Sequence, residues 1–271
     1  MNCPLCDAPM QPFGELRLLG KYDARYLRCT DCGYVRVEDP HWLEEAYATP
    51  LSTDTGRVTR NIELADRVGP LIDLCWPRAQ RFLDYGGGDG LFVRLMRDRG
   101  YDFRWHDPYS APVFAGVPRA DMDQTFDVAT AFEVFEHAPD PVAFVSDLLA
   151  RAPVLIFSTE LVPETDNRPG EWHYYAPEDG QHISFLTNRG LQCLARKLGV
   201  DAASDGRWLH VLSHQRVSGR GLRLLAKPRW RRKAKWLARR LGVKRRSLIA
   251  SDAEAIVAAM AADKPESARH E

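Results

Sequence analysis

The chain has 271 residues, 45% of them hydrophobic, with 37 Lys/Arg against 37 Asp/Glu and a formal net charge of zero. That length suits one α/β domain with a full core plus smaller appendages. No N-terminal apolar segment reads as an export signal and no apolar run approaches the ~20 residues needed to span a bilayer, so the expected compartment is the cytoplasm.

The zero net charge sums two unlike parts. Residues 1–215 hold 21 Lys/Arg and 32 Asp/Glu, a net of −11, whereas residues 216–271 hold 16 and 5, a net of +11. An acidic body with a basic tail is expected to meet something anionic through that tail.

Four of the six cysteines form two C-x-x-C pairs, Cys3/Cys6 and Cys29/Cys32, separated by the segment from Asp7 to Arg28. The two-residue spacer points both sulfurs of a pair at one tetrahedral ion, and two such knuckles supply Cys₄ coordination, so a zinc ribbon is expected over residues 1–40. Gly33 suits the turn of a knuckle, and "RYLRC" before it reads as a strand. With every ligand position filled by thiolate, the zinc would be structural, supplying stability to a segment too short to bury much core. Free thiols and a redox dithiol are the competing readings, the latter lacking its usual βαβ context.

Beyond residue 54 helices and strands alternate. "TRNIELADRVGPLIDLC" has helical spacing of Ile62, Ala65, Val68 and Leu71; "RFLDY" is a strand, and "LFVRLMRDRG" a helix ended by Gly100. "YDFRWHD", "FDVATAF" and "PVLIFST" read as strands, and "DPVAFVSDLLARA" as a helix opened by Asp140 and Pro141. "TNRGLQCLARKLG" is a helix capped by Thr187, and "WLHVLSHQ" a last strand. Repeated βα units predict a parallel, doubly wound sheet with ligands at the carboxyl ends of its strands.

The segment "FLDYGGGDG", residues 82–90, ends a strand in glycines. It lacks the third glycine of a dinucleotide fingerprint and the Gly-Lys-Ser/Thr of a P-loop. Asp84 would repel a pyrophosphate and suits a cationic ligand. Asp107 ends the next strand, one βα unit further on, where a carboxylate accepts ribose hydroxyls.

Through "LDYGGGDG", Asp107 and "FEVFEHAPDP", residues 55–215 resemble the class I S-adenosylmethionine-dependent methyltransferases. "WHYYAPEDGQHISFLT" narrows the resemblance to a subgroup common among bacterial small-molecule and glycan-modifying enzymes. The resemblance implies a Rossmann-like domain over residues 41–215, with S-adenosylmethionine held by Asp84, Gly86, Gly88, Gly90, Asp107 and Glu133. Asp84 would lie near the cofactor's amino end, Gly86 and Gly88 would admit its methionyl part, and Asp107 would hold its ribose.

Methyl transfer from a sulfonium is an in-line displacement, so the protein aligns two atoms and removes a proton. If "FEVFEHAPDP" opens a helical turn, Glu133, Glu136 and His137 share a face. With His182 they could bind a divalent metal, an arrangement that resembles the E-x-x-E-H sites of small-RNA 2′-O-methyltransferases and ubiquinone-biosynthesis O-methyltransferases. Alternatively His182, whose ordinary pKa suits neutral pH, is the general base. The catalytic set is therefore His182, Glu133 and His137. His173, Tyr174 and Tyr175 read as a polar-aromatic loop against the substrate, among Pro163, Glu164, Asp166, Pro169 and Gly170.

The expected function is O-methylation of a small molecule, sugar or glycolipid. A metal-assisted RNA 2′-O-methyltransferase and a non-catalytic cofactor-binding scaffold are the alternatives, and N- or C-transfer stays open. In the helical tail, residues 216–271, 14 basic residues and no acidic one lie between Arg216 and Arg246. Trp230, Ala234, Leu237 and Leu241 form an apolar stripe suited to an anionic membrane at the inner surface, to nucleic acid, or to docking on the acidic body. Ser251 and Glu254 read as a capping box for a last helix.

Overall fold

The computed structural model describes residues 1–48, 55–163 and 167–262. Two sheets organise them. The smaller begins with β1 (Met10–Leu18) and β2 (Tyr22–Cys29), an antiparallel hairpin, followed by β3 (Val35–Val37). Its fourth strand, β8 (Ser184–Phe185), comes from far along the chain and pairs with β3 antiparallel, Val35 opposite Phe185. The N-terminal ladder is thus closed by a segment of the central body.

Helices α1 (Leu43–Ala48) and α2 (Arg57–Cys75) lead into the larger sheet. Leu64, Ala65, Val68, Leu71 and Ile72 form the buried face of α2, whereas Ile62, expected in that stripe, is 45% exposed. Then follow β4 (Arg81–Tyr85), α3 (Leu91–Asp98), β5 (Asp102–His106), β6 (Val128–Phe132), α4 (Pro141–Arg151) and β7 (Val154–Ser158). After α5 (Asn188–Leu198) come β9 (Asp201–Ser204) and β10 (Leu209–Ser213). Two of the caps read from sequence form as expected. Asp140 accepts from the amides of Val142 and Ala143, and Thr187 from that of Gly190.

The strand order is β5-β4-β6-β7-β10-β9. The expectation of a parallel sheet holds for β5, β4, β6 and β7, but β10 runs antiparallel to both β7 and β9, so the sheet is mixed. The reason is local. Asp205 accepts from the backbone amides of Arg207, Trp208 and Leu209, turning β9 directly into β10, and a hairpin can only be antiparallel. The short polar strand β9 was not legible in the sequence.

Alternate residues of each strand enter opposite cores. Phe82, Phe103, Trp105, Val128 and Ile156 pack on the side of α2 and α3. Leu83, Ala129, Leu155 and Phe157 pack with Leu191 and Leu194 of α5, and Cys3, Cys29 and Cys32 belong to this second core. Because β4 lies between β5 and β6, the connections after β4 and β6 leave the sheet in opposite directions and open a crevice at its carboxyl edge.

The tail folds as α6 (Gly219–Leu225), α7 (Pro228–Arg240) and α8 (Ile249–Ala262). Ser251 is not the cap of α8. The helix starts two residues earlier, and the Ser251 hydroxyl donates back to the Leu248 carbonyl. Among the described residues no helix is long and apolar enough to cross a membrane.

Candidate active site

The crevice is a cavity of about 1490 Å³, lined by Asp84, Gly86, Gly88 and Asp107 and also by Glu133, His137, Tyr174 and His182. On its first wall the chain must turn sharply after β4. Gly86, Gly88 and Gly90 all take positive φ, +69°, +52° and +82°. A Cβ at Gly86 would sit 2.5 Å from Val134 Cγ2, whereas one at Gly88 would meet nothing within 4 Å. Gly86 is required for close packing and Gly88 faces open space. The Asp107 carboxylate receives the Gly88 amide at 2.8 Å and the amides of Tyr109 and Ser110, which locks the two strand ends together.

Asp84 is buried and accepts the Thr130 hydroxyl at 2.6 Å. Burial pushes its carboxyl up to about 7, with Asp107 adding repulsion and Thr130 opposing the rise. A cation placed beside it would restore the ionised form. Open space at Gly88, a carboxylate awaiting positive charge and Asp107 at the second strand end fit an adenosyl sulfonium, which carries no phosphate.

The second wall is assembled from scattered segments. A 3-10 turn, Phe135–His137, follows β6 and presents Glu136 and His137. One ligand atom each of Glu136, His137 and His182 lie within 4.8 Å of one another. Glu133, expected on the same face, is not in this group. The turn starts only after it, and its own φ is +54°, a left-handed conformation that a side-chain-bearing residue adopts at a cost. Its carboxylate instead accepts from Ser158 Oγ at 2.6 Å, Trp208 Nε1 at 2.7 Å and the Tyr174 hydroxyl at 3.1 Å.

Tyr174 joins the two glutamates, since its hydroxyl also lies 2.6 Å from Glu136 Oε1. One phenolic proton cannot be donated to both. Burial, and then repulsion from Glu133, pushes the Glu136 carboxyl up to about 8. Glu136 Oε2 and His137 Nδ1 are buried with no partner among the described residues, which is costly unless a further group meets them.

His182 Nδ1 lies 2.6 Å from the Tyr174 carbonyl oxygen. A carbonyl only accepts, so Nδ1 carries the hydrogen and Nε2 keeps its lone pair. Burial lowers the pKa values of His182 and His137, helped in His137 by the neighbouring His182, so both imidazoles are neutral at pH 7. Their rings meet edge-on with centroids 5.0 Å apart.

The aromatic stretch divides. Tyr174 lines the cavity, but Tyr175 is fully buried against Tyr26 and Phe185 and does not face a substrate. Tyr175 sits beside the small sheet, whose apolar side needs covering. His173 is exposed, and Glu164 and Asp166 lie outside the described residues. Among the wall residues that escaped sequence reasoning are Trp208, which leads into β10, and Tyr47 of α1, stacked on Tyr109 at 4.7 Å. Neither sits in a motif.

The four N-terminal cysteines also converge. Their sulfurs lie within 4.8 Å of one another, Cys3–Cys32 at 3.6 Å and Cys6–Cys29 at 3.4 Å. Four thiolates about 2.3 Å from one tetrahedral zinc stand about 3.8 Å apart. Cys29 Sγ also receives the amides of Asp31 and Cys32, which turns negative sulfur toward N–H dipoles. The donor set therefore fits zinc.

Residues 59–204, more than half of the chain, match the family described as methyltransferase domain. The chain belongs to that family and is an S-adenosylmethionine-dependent methyltransferase. Among solved structures, the plantazolicin methyltransferase BpumL in complex with SAH is similar at 11% identity and a TM-score of 0.44, over 65% of this chain and 95% of that one. An O-methyltransferase family 2 protein from Planctomyces limnophilus, in complex with apigenin, is 16% identical with a TM-score of 0.40, over 62% and 64%. Magnesium protoporphyrin IX methyltransferase from Synechocystis with bound SAM is 13% identical with a TM-score of 0.39, over 63% and 89%. No curated protein sequence matches.

Proposed function

We propose that the protein transfers a methyl group from S-adenosylmethionine to a hydroxyl oxygen of a small molecule, sugar or glycolipid. The observation that carries this reading is His182. It is neutral, its tautomer is fixed by the Tyr174 carbonyl, and it lines the same cavity as the Asp84–Gly90 loop. When bound, the cofactor supplies an electrophilic methyl group on a cationic sulfur. Gly88 would leave it room, Asp84 would face its positive end and Asp107 would receive the ribose hydroxyls. His182 Nε2, which keeps its lone pair, would take the proton that the acceptor hydroxyl gives up on methylation. Turnover of the cofactor to S-adenosylhomocysteine against a panel of hydroxylated acceptors tests this. Acceptors methylated only at nitrogen or carbon would overturn it.

A second reading of the same centre is favoured by the unpartnered Glu136 Oε2 and His137 Nδ1. With His182 they offer one carboxylate and two imidazoles, a donor set suited to a borderline divalent cation, which would supply Lewis acidity toward the acceptor hydroxyl. Activity that survives a hard chelator assigns the proton to His182. Activity lost to it and restored by Mn²⁺ or Mg²⁺, with zinc content constant, assigns the cation.

The four cysteines, on this reading, hold a structural zinc. With no ligand position left for water, the ion would do no chemistry and would close the base of the β1–β2 hairpin.

A further inference from the structure

The basic tail is braced against the body on one side only. Ala234 and Ala238 of α7 are buried where that helix packs on α2, and Trp230 is half-buried. Beyond α7, Arg245 reaches Asp73 at 3.1 Å, and Asp252 of α8 receives Arg94 at 2.8 Å and Arg97 at 2.5 Å. The apolar stripe read from sequence is therefore divided: Ala234 is used in docking, while Leu237 and Leu241 stay exposed at 44% and 66%.

At about 100° per residue, Trp236 falls opposite the docked alanines. It is 58% exposed, with the Arg240 guanidinium 4.9 Å from its ring centroid. Arg229, Arg232, Lys233, Arg239 and Arg240 are exposed on the same helix, and among the described residues no carboxylate pairs with them. Arg223 and Ala226, at the end of α6, line the methyltransferase cavity. The chain that lines the cavity at Ala226 thus runs into α7 two residues later, at Pro228.

We infer that this face of α7 docks the protein on an anionic phospholipid surface. Phosphates answer the cations. Trp236 enters the headgroup boundary, with Leu237 about 100° round the helix at the edge of the same face; there an indole is favoured, and a polynucleotide would give them no apolar cover. The alanine face is already occupied, so orientation is set by the fold rather than by the lipid. The inference concerns attachment and stands apart from the acceptor chemistry.

The test is co-sedimentation of the full chain at physiological salt with two kinds of vesicle, beside a mobility shift on short RNA. One kind is phosphatidylcholine alone, and the other is phosphatidylcholine mixed with the anionic lipid phosphatidylglycerol. Binding is expected to the anionic vesicles and not to the neutral ones. Neutralising Arg239 and Arg240 to Gln should weaken it by about 30-fold, from roughly 1 kcal/mol per basic residue. Trp236→Ala should weaken it several-fold without changing charge, and quenching of emission by brominated lipid should be lost in Trp236→Phe. S-adenosylhomocysteine binding by calorimetry should be unchanged in all three, which separates lost attachment from lost fold. Absence of binding to the anionic vesicles overturns the inference. So does binding to vesicles and RNA alike that is insensitive to Trp236, which would make the tail a general polyanion contact.

Discussion

The wall proposed for the cofactor and the wall proposed for the acceptor, in one cavity, are built in different ways. The first comes from a continuous stretch, Asp84 to Asp107, in which two adjacent parallel strands end side by side and the Gly88 amide of one loop binds the carboxylate of the other. The second draws Glu133 and His137 from the end of β6 and the turn after it, Tyr174 and His182 from the long connection before α5, and Trp208 from the turn into β10, with Glu136 buried behind them. No sequence-local rule holds these together. Buried hydrogen bonds do, centred on the Tyr174 hydroxyl, and the small sheet behind them fixes β8 two residues past His182. Local construction makes the first wall robust, whereas the second depends on parts far away.

That contrast can be broken most severely at the cysteines. Cys29→Ser is expected to lower the melting temperature by about 10 °C or more, in keeping with a structural zinc site that supplies folding energy. Scanning calorimetry with zinc analysis checks it, and an unchanged melting temperature would detach the acceptor wall from the knuckles. Next in size, His182→Ala should reduce kcat by roughly 10²–10⁴-fold while S-adenosylhomocysteine affinity stays as in the parent. A parallel loss of cofactor affinity would mean the two walls are not independent.

On the other wall, Gly86→Ala places a Cβ 2.5 Å from Val134 Cγ2 at a φ of +69°. It and Asp107→Ala should each weaken cofactor binding by about 30- to 100-fold by calorimetry, a loss of about 2–3 kcal/mol. The smallest effect is one of pH. Asp84 is raised from 3.8 to about 7, so in the free protein its contribution to stability is complete below pH 3.8 and is lost as pH rises through about 7. A cationic cofactor selects the ionised form, so affinity should fall about tenfold per pH unit below 7 and level off above it, with proton release on binding. Asp84→Asn should flatten that profile.

Legibility followed the same division. The loop after β4, Asp107, both helix caps and the cysteine knuckles could be read because each rests on contacts within a few residues or on fixed ligand spacing. Glu133 was placed on the face of Glu136 and His137 because helical spacing was assumed to begin at it, whereas Glu133 is itself left-handed, which no side-chain pattern announces. Tyr175 was read as lining a substrate because a loop rich in Pro and Gly looks exposed, yet the small sheet gave it a core. Strand β9 escaped because Asp-Ala-Ala-Ser has neither β-branched residues nor alternation; its pairing with β10 is set by the Asp205 turn.

Strand β8 is only two residues long, Ser184–Phe185, and its register comes from β3, with Phe185 opposite Val35. Side chains alternate along a strand, so a slip of one residue would turn Phe185 outward and rotate His182 away from the cavity. The N-terminal sheet therefore serves as a gauge that sets the angular position of the His182 imidazole more than a hundred residues downstream. Substitutions that loosen Val35 or Tyr34, remote from any bound molecule, should then surface as altered turnover or acceptor choice rather than as altered cofactor affinity.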